Sequence, residues 1–126
     1  MLDEMITVAV VSEDGTVSVE DMPNTLVEFQ TRVGGYIEPV TFNWNGQECT
    51  AYVDEEGLVK GRPMNVMLCA IAGHPFLVGN GVLCGGVDQD GKTLGLPKTF
   101  ANVLRGLGSQ LVSGCDLSDT QAEASG

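Results

Sequence analysis

Positive charge is what this chain has least of. Six Lys and Arg stand against 17 Asp and Glu, for a formal net charge of −11. The first 30 residues hold seven carboxylates (Asp3, Glu4, Glu13, Asp14, Glu20, Asp21, Glu28) and no Lys or Arg. Phosphate binding relies on clustered cations, so direct nucleic-acid binding and docking on an anionic membrane are not expected. A basic protein partner suits this balance better. No run approaches the ~18 apolar residues of a membrane span, and no N-terminal stretch combines a basic start with an apolar core. The expected setting is therefore the cytoplasm. Histidine occurs once, at His74 in the turn-like Gly73-His-Pro75, and a lone imidazole lacks the partners of a metal site or a triad. The four cysteines, Cys49, Cys69, Cys84 and Cys115, contain no C-x-x-C pair, and three have apolar neighbours, so they read as reduced core residues. Neither a G-x-G-x-x-G turn after a strand nor a Walker loop is present. Asp88-Gln-Asp-Gly91 opens like a calcium loop but has no closing Glu, and reads as a hairpin turn. No catalytic residue, metal or cofactor is expected.

What is present is organised around Val33 to Gly57. Asn45-Gly46 is the strongest short-range hairpin signal, because a two-residue type I′ turn needs positive φ at both central positions. That turn sets Trp44 opposite Gln47, Phe42 opposite Cys49, Val40 opposite Ala51 and Glu38 opposite Val53, all on one face. The period-two alternation of both strands agrees with this register.

The remaining chain, of 126 residues in all, predicts one domain over 1–112 and an acidic disordered tail over 113–126. Ile6-Thr-Val-Ala-Val-Val11 alternates with Ile6, Val8 and Val10 on one side, and Glu13-Asp14-Gly15 turns it into Val17-Ser-Val19. Met1 to Glu4 add nothing to the pattern that begins at Ile6, so Met5 is an alternative start. Thr25-x-x-Glu28 forms a capping box for a short helix with Leu26, Phe29 and Val33 on one face, closed by Gly34. Asn65 caps a second short helix, Val66 to Ala72, which is apolar all round and so expected to be buried on several sides, and which ends at Gly73. Val82-Leu-Cys84, between glycines, reads as a central strand. Pro97 opens an amphipathic helix with Phe100, Val103, Leu104, Leu107 and Leu111 on one face. The fold class is α+β: a small mixed or antiparallel sheet built from hairpins, with two short helices and a C-terminal amphipathic helix.

V-G-G-Y-I-E at Val33 to Glu38, D-E-E-G at Asp54 to Gly57, P-x-N at Pro63 to Asn65 and G-N-G-V-L-C-G-G from Gly79, in this order and spacing, resemble a small domain-of-unknown-function family. That family is common in bacteriophages, especially those of Actinobacteria, and in mobile elements. The resemblance runs from about Ile6 to Pro97 and leaves out the last helix and tail. It implies a phage or mobile-element accessory protein acting in the host cytoplasm. The family pattern usually has Asn where this chain has Asp54, and a longer polar helix after P-x-N.

Three constellations are candidates for function. Glu38 with Asp54, Glu55 and Glu56 converge if the hairpin register holds, as a cation or acid/base site; the plain structural alternative has Glu38 accepting hydrogen bonds from the Gly34 and Gly35 amides. Gly34, Gly35 and the Gly79 to Gly86 run offer backbone N–H groups to an anion, with Tyr36 and the Asn65 helix start completing a pocket. Trp44, Phe100, Leu104 and Leu107 form an apolar surface for a partner or for self-association into a homo-oligomer, unless they pack within the chain. The resulting expectation is a non-enzymatic binding protein. It sequesters a small ligand, such as a nucleotide signal of host defence, through Gly34, Gly35, Tyr36, Glu38, Glu55 and Asn65; alternatively, it is an acidic interaction module or DNA mimic that occupies a basic host protein.

Overall fold

The computed structural model describes residues 4–116. The element order is β1 (Met5–Val11), β2 (Val17–Pro23), α1 (Leu26–Val33), β3 (Ile37–Trp44), β4 (Gln47–Asp54), α2 (Val66–Ala72), β5 (Gly81–Cys84) and α3 (Lys98–Asp116). The strands make one sheet in the order β2-β1-β5-β4-β3, and every pairing is antiparallel. The fold is therefore α+β with an antiparallel sheet, and the short β5 lies at its centre.

The β3–β4 register is the one that Asn45-Gly46 dictates, with Trp44 on Gln47 and Glu38 on Val53. Asn45 has φ of 49° and Gly46 of 82°, the left-handed pair that this turn requires. Asn43 Oδ1 accepts from the Gly46 N–H at 2.9 Å and steadies the turn from inside.

Both sheet faces are covered, so most strands bury residues of either parity. Ala9, Val11, Cys49, Ala51, Val53 and Leu83 face α2 and α3; Ile6, Val8, Tyr52, Val82 and Cys84 face α1. The single apolar side read for β1 from Ile6, Val8 and Val10 is thus only half of what that strand buries. Helix α1 starts as the capping box predicts, with Thr25 Oγ1 accepting from the Glu28 N–H, but the Glu28 carboxylate turns to Arg32 rather than back to the cap. Phe29 and Val33 of α1 are buried, whereas Leu26 lies in solvent at its first turn.

Helix α2 has the predicted cap and stop, Asn65 and the left-handed Gly73, but it is not buried all round. Leu68 and Ala72 go into the core while Val66 is 70% exposed, because a helix this short meets the sheet along one face only. In α3, Phe100, Ala101 and Leu104 are buried; Val103, placed on the apolar stripe by spacing, faces out. The helix runs past residue 112, the expected domain limit. The side chains of Leu111 and Cys115, and the acidic tail expected beyond the helix, lie outside the described residues. Among the described residues no helix is long and apolar enough to cross a membrane.

Candidate functional site

The turn between α1 and β3 is held in place by the loop that follows β4. Gly34 caps α1 with φ of 88°, and its N–H donates to Gln30 O at 2.7 Å. The Gly35 N–H donates to the same carbonyl at 3.3 Å. Both amides expected to hold an anion are therefore used in ending the helix. Both positions are also crowded by side chains. A Cβ on Gly34 would stand 2.8 Å from the Arg62 guanidinium, and one on Gly35 would stand 2.7 Å from Lys60 Nζ and 2.9 Å from both Asp54 oxygens.

Those three side chains form a clasp. The Asp54 side chain has no solvent exposure; its Oδ2 accepts from Lys60 Nζ at 2.8 Å and from Arg62 Nε at 3.1 Å, and its Oδ1 from the Glu56 N–H at 2.8 Å. Lys60 and Arg62 also reach the Gly34 carbonyl, the exposed end of α1, and Arg62 lies 3.5 Å from Glu13. Burial pushes the Asp54 carboxyl up, but hydrogen bonds from Lys60, from the Glu56 N–H and from Arg62 outweigh it and hold the group below the usual carboxylate range. The loop from Glu55 to Arg62 is thus stapled at its two ends to the base of β4 and to the C-terminus of α1. The sequence signal for this clasp is faint. Lys60 and Arg62 are the first cations after Arg32, and they follow the buried end of a strand that finishes in a carboxylate.

Beside the clasp lies an open groove of about 350 Å³ lined by Val27, Gln30, Thr31, Gly35, Tyr36, Glu56 and Lys60. The Tyr36 side chain stands over it, 66% exposed. Of the residues assigned from sequence to ligand binding, Gly35 and Tyr36 border this groove. Glu55 and Glu38 are exposed outside it.

The carboxylate constellation does not form. In the register that Asn45-Gly46 dictates, Glu38 pairs with Val53 and Ile37 with Asp54, so alternation puts Glu38 and Asp54 on opposite faces of the sheet. Among the described residues, no group of three or more His, Cys, Asp or Glu is placed to hold a metal ion. Asn65 is fully buried: its amide donates to Val11 O at 3.0 Å and Gly79 O at 2.8 Å while its Oδ1 caps α2. It therefore ties β1, the glycine run and α2 together and offers nothing to a ligand. Within that glycine run, the Gly79 N–H bonds Pro63 O and the Gly85 N–H bonds Leu94 O. His74 is a turn residue whose Nδ1 accepts from the Phe76 N–H.

Of the residues expected to form an apolar interaction surface, Phe100 and Leu104 are interior and Trp44 and Leu107 are partly buried against them. Trp44 stacks on Phe100 at 4.6 Å between ring centroids and 13° between planes, and Leu104 is 1% exposed. With Leu107 packed beside them, these four side chains are used within the chain, where they help dock α3 onto the sheet. Cys49 and Cys84 are buried free thiols; burial pushes both up, with the Glu48 charge adding at Cys49 and Cys49 itself at Cys84.

No curated protein and no solved structure matches this chain. The model of a family described as a domain of unknown function (DUF3846) matches residues 6–107, so the match continues past Pro97 into α3 and takes in Phe100, Leu104 and Leu107. A match over most of the chain's length places it plainly: the protein belongs to the DUF3846 family.

Proposed function

We propose that this protein is a non-enzymatic binding module whose partner is a basic protein, and that, as the phage-like resemblance implies, it serves as an accessory of a phage or mobile element in the host cytoplasm. One observation carries the reading. The stretch from Val33 to Val59, which contains the central hairpin, has five carboxylates and no Lys, Arg or His. Asp54 alone among them is neutralised by ion pairs; Glu38, Glu48, Glu55 and Glu56 are exposed. An anionic ligand such as a nucleotide is less well served. The Gly34, Gly35, Gly79 and Gly85 amides are already bonded, and Lys60 and Arg62 already meet a carboxylate.

The test is a titration followed by NMR with two octapeptides, one of alternating lysine and threonine and one of alternating glutamate and threonine. Binding of the basic peptide, with shifts confined to Val33 to Val59 and affinity falling steeply with salt, is the expected result. Equal response to both peptides, or none to the basic one, would refute it.

The groove beside Tyr36 favours a second reading, sequestration of a small ligand, because its volume reaches the lower end of the range, roughly 300–1,000 Å³, that small-molecule sites occupy. Native mass spectrometry of protein purified from its own host decides it. A reproducible added mass that is lost on denaturation supports the ligand, and a bare chain counts against it.

A further inference from the structure

The sheet ends at β3, and the phase of its ladder shows which backbone groups that edge leaves open. The Glu55 N–H donates to Tyr36 O at 2.9 Å, so Tyr36 and Glu55 are a hydrogen-bonded pair. Antiparallel alternation then turns the N–H and C=O of Glu38, Val40, Phe42 and Trp44 toward β4, and those of Ile37, Pro39, Thr41 and Asn43 away from it. Among the described residues, none of these outward main-chain groups has a protein partner. Proline has no N–H, and Pro39 sits at one of the outward positions, where it costs the sheet no ladder bond. The edge therefore offers donors at Ile37, Thr41 and Asn43, and acceptors at all four residues.

We propose that this edge is the docking surface for an extended basic segment of a partner protein, which adds a sixth strand beside β3. The inference rests on the binding-module reading above and says where the partner binds. Charge selects the occupant. The hairpin carrying the edge has no cation between Val33 and Val59, so a second copy would set like-charged hairpins side by side, each in a chain of net charge −11. A basic strand meets Glu38 at one position and the half-buried Val40 and buried Phe42 at the next two of the same face. The fitting segment alternates, with a cation beside Glu38 and an apolar residue beside Val40 and Phe42. Main-chain bonds supply affinity and these alternate side chains supply selectivity.

The experiment uses the full chain and a capped palindromic peptide, Thr-Lys-Thr-Val-Thr-Val-Thr-Lys-Thr, which fits in either direction. Two further versions are N-methylated on alternate residues, one in each phase. Binding is expected to slow amide exchange at Ile37, Thr41 and Asn43. One methylated phase should bind at least about tenfold more weakly and the other about as well as the parent peptide. The Thr41→Pro variant removes one outward donor and leaves the β4 ladder intact; it should weaken binding by about tenfold. Equal binding by both methylated phases overturns the edge, whether or not Thr41→Pro folds. Peptide binding with shifts at Gln30, Thr31 and Tyr36 but no protection of the odd-numbered amides also overturns it, while sparing the wider reading. Failure of every basic peptide to bind overturns both. Concentration-dependent protection of the same amides without peptide, together with a dimer mass, would make a second copy the occupant and sink the proposal.

Discussion

At Asp54 one carboxylate, fully shielded from water, balances two cations, and its loss falls on both. Asp54→Asn keeps an acceptor for the Glu56 N–H but leaves Lys60 and Arg62 beside an uncharged group. We expect a loss of about 1.5–3 kcal/mol, the range for hydrogen bonds to charged groups, read from urea unfolding. The loss should fall short of that for a sealed pair because Lys60 is 37% exposed and Arg62 also has Glu13 and the Gly34 carbonyl. The pH dependence follows from the direction of the shift. The folded protein holds this carboxyl below its ordinary value of 3.8, so the stabilisation is complete above that value and is lost as pH falls through the lower folded one. Unfolding midpoints of the parent and Asp54→Asn should therefore converge as the solution is acidified below about pH 4. A constant gap would show that the Asp54 charge does not matter. Gly35→Ala tests the same clasp from the other side. Its methyl group would displace Lys60 Nζ and press on both Asp54 oxygens, so a loss of about 1–3 kcal/mol is expected, together with shifted resonances at Tyr36.

At the scale of elements, the stack of Trp44 on Phe100 is one of the contacts that hold α3 to the sheet. Trp44 is the sole tryptophan, so its emission reports that contact without interference. Phe100→Ala should cost about 3–5 kcal/mol and shift the emission to longer wavelength as water reaches the indole. An unchanged spectrum would mean that α3 is held elsewhere. The elements also show what the sequence made legible. The β3–β4 hairpin could be read to the residue because a two-residue turn and a period-two pattern each fix the register, and here they agree. Caps at Thr25 and Asn65 and the stops at Gly34 and Gly73 were legible because each is a local hydrogen-bonding need. The clasp was not legible, since Asp54 meets Lys60 and Arg62 only through a loop whose path no local rule dictates. For the same reason the glycines mislead. Gly34 and Gly35 look like an anion cradle in sequence, and only the fold shows their amides closing α1 and their bare Cα positions giving room to the clasp.

For the whole molecule, the net charge of −11 on a small domain means that self-repulsion opposes folding. Arg32, Lys60, Arg62 and Lys92 are each in ion pairs, which leaves the excess carboxylates unscreened except by solution ions. Raising NaCl from low concentration to about 0.5 M should therefore stabilise the protein, by about 1 kcal/mol, in thermal or urea unfolding. A fall in stability over the same range would mean that the ion pairs contribute more than the repulsion costs. The strand order has a separate consequence, for the time at which the fold can form. Two hairpins made early in the chain, β1–β2 and β3–β4, share no direct pairing; the four residues of β5 join them by bonding to β1 on one side and β4 on the other. A nascent chain at the ribosome therefore carries two sticky half-sheets until Gly81 to Cys84 has left the exit tunnel. Only then can the sheet close in one late step, and until then the chain depends on its own negative charge, or on a chaperone, to keep those edges apart.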